Sequence, residues 1–432
     1  MTRPAGEEHA GEMMPTAAGG GREALPMPPE ALYVHVPFCV SLCPYCDFVV
    51  VAGAAARGPG NRIAAYVEAL RTELVLRADA LDAQHGPPGA EGRPLLASLY
   101  LGGGTPSLLP SDDLAGIVGL VGERFGLSPM AEVTLEANPG PDDRGDPAAQ
   151  CAAGFNRISF GVQSLAPAEL RRLGRRHGPP DVADAVAAAR AAGIGSISLD
   201  LLYDVPGQAI SSWMATLDGA LALAPDHISA YALTLDDPDA EGLTGPGGDH
   251  LPATPGARRW RVRARGNQDE DRATAMYHHA VTRLGSDGWR GYEISNWARP
   301  GHESRHNLVY WERRPYEAVG PGAHAFDGVR RRWNAARLDG YLEALSARGG
   351  RGPALPPGGS EAIDPSTAAL ERVILGLRLD TGIPLAVAYE PPLGEVLGWA
   401  LAAELLEVSA GDRVVLTTRG RLLSNELFSR LV

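Results

Sequence analysis

The chain has 432 residues, 44% hydrophobic and 21% charged, enough apolar material for two or three domains or for one large α/β barrel with an appendage. Its formal charge of -13 offers no field that would gather DNA, RNA or anionic lipid. No apolar run reaches the ~18 residues of a membrane span, so nucleic-acid and membrane-spanning functions are poor first readings.

Residues 1–28, rich in Gly, Ala, Pro and Glu, read as a disordered leader without the basic start and apolar block of a signal peptide. A core at 29–235 comes next, in which β-type runs at 31–36, 96–101, 131–136, 157–160, 197–202 and 227–233 alternate with helical stretches at 61–80, 111–124, 166–174, 180–192 and 211–223. Such alternation predicts βαβ units on a parallel sheet. Six units suit a partial (β/α)6 TIM-like barrel; on periodicity alone a doubly wound sheet fits as well.

The Gly/Pro/Arg-rich stretch 236–268 reads as a loop insertion. Residues 269–347 carry a helix near 269–285 and an aromatic-rich segment covering the barrel, and 348–362 reads as a linker. The remaining 363–432 has helical patterns near 366–378 and 394–407 and closes on R-V-V-L-T-T-R-G-R-L-L-S-N-E-L, which predicts an α+β, winged-helix-like module.

Three of the four cysteines, Cys39, Cys43 and Cys46, fall within eight residues. Four cysteines make no disulfide framework; ligand thiols in a reducing cytoplasm fit better. Three thiolates from one loop suit an iron–sulfur cluster with one iron left open, or zinc completed by a fourth ligand, with His35 near in sequence. The second strand runs into L-G-G-G-T-P, whose glycines let backbone N–H groups approach a polar ligand. Later strands end at Glu136, Gln163 and Asp200. In α/β barrels the carboxyl ends of strands are where sites are assembled, so these groups and the cysteine loop are expected on one rim.

The spacing Cys-x-x-x-Cys-x-x-Cys, with Tyr45 just before the third cysteine, resembles the radical S-adenosylmethionine (SAM) family. Within it, Y-V-H-V-P-F-C and C-P-Y-C-D-F are similar to the branch of oxygen-independent coproporphyrinogen III dehydrogenase and the HemW-type haem chaperones, over roughly residues 31–432. The resemblance implies a 4Fe-4S cluster on Cys39, Cys43 and Cys46 with SAM at the open iron. It places Tyr33, Gly103, Gly104, Thr105, Glu136, Gln163, Arg175 and Asp200 against one or two SAM molecules and Tyr45 beside the cluster. Taken alone, Arg175 in R-R-L-G-R-R-H reads as a solvated basic helix end. Asp204, in D-L-L-Y-D-V-P-G-Q, stands where the branch usually has Gly, which puts the local turn in question.

Two positions separate dehydrogenase from chaperone. Phe48 stands where the dehydrogenase has a further cysteine, and H-N-L-V-Y-W at 306–311 resembles the HNxxYW motif associated with haem binding in the HemW type. Y-E-I-S-N-W-A, V-G-P-G-A-H-A-F and R-W-N add to this likeness. His306 then offers an imidazole to haem iron, Asn307 belongs to the same motif, and Tyr310 and Trp311 offer flat apolar surface. Read on its own, His306 packs or hydrogen-bonds in a covering segment. His324 is a second candidate ligand, and Cys151 a buried structural thiol rather than a cluster ligand. The resemblance thus implies a cytoplasmic chaperone passing haem to respiratory haemoproteins, with peripheral association at a membrane-bound acceptor compatible. The alternative is radical oxidative decarboxylation of coproporphyrinogen III to protoporphyrinogen IX.

Overall fold

Six strands come in chain order: β1 (Ala31–Val36), β2 (Leu96–Gly103), β3 (Leu127–Ala137), β4 (Arg157–Gln163), β5 (Ser196–Tyr203) and β6 (His227–Ala232). In this computed structural model the described residues are 25–52, 62–89, 92–235, 243–245, 247–346 and 352–432. Each core strand pairs parallel with the next, so the order is β1-β2-β3-β4-β5-β6 with no reversal. The absence of a switch point removes the doubly wound alternative. The sheet is open at both edges, a partial barrel rather than a closed one.

Helices α1 (Arg62–His85), α2 (Ser111–Arg124), α3 (Pro147–Ala152), α4 (Pro167–Arg172), α5 (Pro179–Ala191) and α6 (Ile210–Ala222) lie between the strands. α5 shows why such segments are helical. Pro179 and Pro180 open it, the Asp181 carboxylate accepts from Gly178 N at 2.7 Å, and an Ala-rich body completes it. One face of each strand is aliphatic and meets these helices. Leu32, Val34, Leu99, Leu101, Val133 and Leu135 pack on Tyr66, Leu70, Leu74 and Ile117. Ile158, Phe160, Ile197, Leu199 and Ile228 pack on Val182, Val186, Trp213 and Leu217.

The opposite face departs from what a buried parallel sheet normally shows, near-continuous apolar strands. Ser98 and Tyr100, Thr134 and Glu136, Arg157 and Ser159, Ser198 and Asp200, and His227, Ser229 and Tyr231 alternate with the aliphatic residues. The parallel register then aligns them, Glu136 beside Ser159, Ser159 beside Ser198, and Asp200 beside Ser229. The concave interior is therefore polar, and it sits where a ligand can reach it.

Beyond β6 the structure corrects three expectations. The loop insertion 236–268 contains α7 (Pro255–Arg265), started by the Thr254 side chain accepting from Ala257 N at 3.2 Å and by Pro255; residues 236–242 and 246 lie outside the described residues. The covering segment 269–347 does more than cover. After α8 (Glu270–Ser286), short strands β7 (Arg290–Gly291) and β8 (Asn296–Ala298) extend the β6 edge. After α9 (Arg305–Trp311), β9 (Tyr316–Val319) pairs parallel with β1, and β10 (His324–Phe326) and β11 (Arg330–Asn334) continue antiparallel from it. α10 (Leu338–Leu345) then returns to α1. Finally, the linker 348–362 ends in β12 (Gly358–Ala362), paired with β11.

Residues 1–24 of the expected leader lie outside the described residues, while Met27 N donates to Asp327 O at 2.8 Å and so is fixed on the sheet edge. The C-terminal stretch has the order helix (Pro365–Arg378), strand (Ile383–Pro384), helices (Leu385–Ala388, Leu397–Ala402) and strands (Leu406–Ser409, Arg413–Leu416) in a three-stranded sheet, the element order of a winged helix. It has its own apolar core around Val373, Leu377, Leu397 and Leu406.

Candidate functional site

A cavity of about 390 Å³ opens at the carboxyl ends of the core strands. Cys39, Cys43, Cys46, Tyr45, Gly103, Gly104, Thr105, Glu136, Gln163, Arg175 and Asp200 all line it, so eleven residues expected from separate stretches of the chain come together. Tyr33 does not. It is half-buried behind the wall, with its hydroxyl on His35 Nδ1 at 3.0 Å, and faces a second cavity.

The cysteine loop leaves β1 through a two-residue parallel pair, Phe38–Cys39 with Val51–Ala52. Arg261 of α7 holds it from outside, donating to Pro44 O (3.3 Å), Cys46 O (3.0 Å) and the Asp47 carboxylate. Cys39 Sγ meets Thr105 Oγ1 at 3.3 Å, and Arg175 Nη1 lies 3.7 Å from Cys43 Sγ. Burial pushes the Cys39 thiol up to about 11 and the Cys46 thiol up to about 12. Without a metal these groups are protonated at neutral pH, and a metal would displace the protons. His35 is no fourth ligand here, because Nε2 is engaged by Val49 O at 2.9 Å and Nδ1 by Tyr33. Among the described residues no three His, Cys, Asp or Glu side chains converge closely enough for a single metal ion.

Arg175 corrects its expected place. It is not a solvated helix end: its guanidinium donates to Asn138 Oδ1 and Gly161 O, and its Nε is buried with no partner. The Gly run also behaves differently from expectation. Its N–H groups are engaged within the protein, Gly103 N with Glu136 Oε2 (2.9 Å), Gly104 N with Val36 O (2.8 Å) and Thr105 N with Phe38 O (2.7 Å). Gly103 has φ +105°, and a Cβ there would stand 2.4 Å from the His35 ring, so this position needs glycine.

Glu136 accepts from the Tyr100 hydroxyl at 2.7 Å, and burial pushes its carboxyl up to about 7. Asp200, held by Ser159 Oγ at 3.0 Å, is also raised by burial. Gln163 sits at φ +66° where the pairing of β4 with β5 shifts register. Asp204 takes φ +54° in place of the usual glycine, and its carboxylate receives Arg272 Nη2 at 2.6 Å. The turn is made by a left-handed aspartate held in an ion pair.

The motif 306–311 forms α9 across the other end of the interior. His306 is 1% exposed, its Nδ1 on Ser98 Oγ (2.9 Å) and its Nε2 on Tyr310 OH (2.7 Å), with Tyr100 stacked on its ring at 5.0 Å. Both imidazole nitrogens are engaged in this arrangement, so ligation of an iron by His306 would require giving up the contact to Ser98 or to Tyr310. The four motif residues do not all share one surface. Asn307 lines the main cavity and Tyr310 the second; Tyr310 and Trp311 together line a third of about 250 Å³, and Trp311 stacks under Arg378 at 4.2 Å. Cys151 is half-buried among the apolar residues behind the sheet.

Comparison with known proteins gives this arrangement a family. The radical SAM superfamily model matches residues 33–219. A haem chaperone HemW of Mycobacterium tuberculosis is 38% identical over 414 residues, covering 95% of this chain and 97% of that protein. The chain belongs to the HemW family. The HemW of Synechocystis is 34% identical over 83% of the chain and 80% of its own length. The solved coproporphyrinogen III oxidase HemN of Escherichia coli, a radical SAM enzyme, superposes with TM-score 0.75 at 20% identity, covering 94% of this chain and 91% of that one, and so shares the fold.

In this HemW-family chain several cavity residues were not singled out from the sequence, notably Tyr100, Asn138, Arg157, Ser159, His227 and Ser229. Their signal was available. Polar residues at every second position of strands bounded by helices mark a wet inner face. His302 and Tyr292, which engage Arg157 and His227, come from the covering segment and carry no such mark.

Proposed function

We propose that this chain is a cytoplasmic haem chaperone of the HemW type, carrying a 4Fe-4S cluster on Cys39, Cys43 and Cys46 and passing haem to respiratory haemoproteins. A cubane spreads its irons, so three thiols on one rim that do not converge on a single ion suit a cluster better than zinc. SAM, bound beside such a cluster, would supply a sulfonium open to one-electron reduction. Around it, Glu136 and Asp200 would offset the sulfonium and ammonium charges, and Arg175, with Nε unpartnered, would take the carboxylate. Since the Gly103, Gly104 and Thr105 N–H groups are engaged, this strand end would use carbonyls, which suit an amino group. Gln163 and Tyr45 would shape the same wall, and Tyr33 would act through His35.

The observation that carries the chaperone over the decarboxylase is the side chain just past the third thiol. Phe48, 65% exposed, lines both the cysteine cavity and the second one, an apolar surface where the dehydrogenase branch has another cysteine. Relatives named HemW over nearly the whole length agree with it. Anaerobically reconstituted protein, with about four irons per chain, should bind ferric haem and yield no protoporphyrinogen from coproporphyrinogen III, SAM and a reductant. Many turnovers of product would establish the decarboxylase instead.

A further inference from the structure

The second cavity, about 270 Å³, is walled by Tyr33, Tyr310, Tyr316 and Phe48 and carries three imidazoles, His35, His250 and His324. They are not equivalent. Both nitrogens of His35 are engaged, as are both of His306 behind the wall. His324, on β10, meets Asp249 Oδ2 through Nε2 at 2.8 Å, and His250 Nδ1 meets Oδ1 of the same carboxylate at 2.9 Å. Asp249 thus takes one N–H from each ring, which leaves Nδ1 of His324 and Nε2 of His250 as lone-pair nitrogens; of the two, His324 stands on a strand and is stacked by Trp333.

This geometry is held firmly. The turn before β10 passes so close that a Cβ on Gly322 (φ +74°) would stand 2.6 Å from Val49 Cγ2. Ala336 N donates to Gly248 O at 2.9 Å and Trp333 Nε1 to Gly247 O at 3.3 Å, fixing the Asp249 loop to β11. The Trp333 ring stacks on His324 at 6.0 Å and 21°. A histidine that gives one N–H to a carboxylate and keeps the other nitrogen for a metal is the usual outer support of a metal-bound imidazole.

We propose that His324, through Nδ1, is the axial ligand of haem iron, oriented by Asp249, with the macrocycle against Phe48, Tyr310 and Tyr316. The assignment rests on haem being the cargo. The cavity is smaller than the ~300–1,000 Å³ of enclosing ligand sites, so part of the macrocycle stays outside, as a carrier that hands its load on requires. Phe48, shared by both cavities, puts the cargo next to the cysteine loop.

The test is a ferric-haem titration of the full-length reconstituted protein, followed by Soret absorbance and low-spin EPR. Wild type should bind one haem with an imidazole-type spectrum. His324→Ala should lose that spectrum and weaken binding at least tenfold, with added imidazole restoring the bands, while His306→Ala keeps them. Asp249→Asn should keep the ligand but raise the haem midpoint potential and weaken binding about 10- to 100-fold; it also covers the case that His324→Ala fails to fold. An unchanged spectrum in His324→Ala, an unchanged potential in Asp249→Asn, or loss of the bands in His250→Ala alone overturns the assignment. If wild type binds no haem at all, the cargo reading itself falls.

Discussion

The two ends of the sheet interior use similar residues to opposite standards. At the cysteine rim, Gln163 has a left-handed backbone, Arg175 Nε has no partner, and Glu136 and Asp200 are carboxylates whose ionisation burial opposes. At the start of α9 the polar groups are matched, whereas Trp311 Nε1 at its end is buried with no partner. Glu132 accepts from Arg305 N (3.1 Å) and His306 N (3.2 Å), Ser304 Oγ accepts from Asn307 N at 3.3 Å, and His306 satisfies both nitrogens. Underpaired, desolvated groups await a ligand, while fully paired ones close a core. The histidine that stands out by motif thus has both nitrogens engaged within the protein, whereas His324, on β10, has one nitrogen on Asp249.

The sharpest way to break this contrast is His306→Ala. Removing the ring leaves a void between Tyr100 and Tyr310 and strips the Ser98 and Tyr310 hydroxyls of a buried partner. Urea denaturation should show a loss of about 2–4 kcal/mol, with the haem spectrum intact. A loss under about 1 kcal/mol together with a missing haem spectrum would reverse the roles of the two ends.

Glu136→Gln probes the opposite end. The folded carboxyl titrates at about 7 because burial opposes its charge, above the ~4.3 of a solvated glutamate. Unfolding in that window releases a proton, so the unfavourable contribution is absent below pH ~4, grows as pH rises, and is complete above 7. Gln lacks it but matches the Tyr100 and Gly103 donors less well. In SAM-free protein the variant should be the less stable at pH 5 and gain about 2 kcal/mol relative to wild type by pH 8. A difference that does not move with pH would show that this carboxyl titrates normally.

Much of this was legible. The βα rhythm gave the open barrel because each strand's aliphatic face and each helix were long enough to show their periods. Cys39, Glu136 and Asp200 could be placed on one rim because strand ends are recognisable. Arg175 was not legible, since R-R-L-G-R-R-H says nothing of which arginine turns inward to Gly161 O. The short strands β7 to β10, which extend the core sheet at its two sides, are two to four residues long and owe their state to pairing rather than pattern. Asp249 and His324 stand in unrelated stretches, and only the Gly322 turn and the anchoring of the Gly248 loop bring them to 2.8 Å.

Asp204 gives the smallest and most local test, at the edge of the rim. A left-handed aspartate costs about 1 kcal/mol relative to glycine, and the 2.6 Å contact to Arg272, with Asp204 buried, offsets that cost. Asp204→Gly relaxes the backbone and loses the pair, so its stability should stay within about 1 kcal/mol of wild type. Asp204→Ala keeps the strain and loses the pair, and should fall about 1–2 kcal/mol below Asp204→Gly. Equal stability of the two variants would mean that the turn does not need its left-handed residue and that Arg272 alone holds the segment.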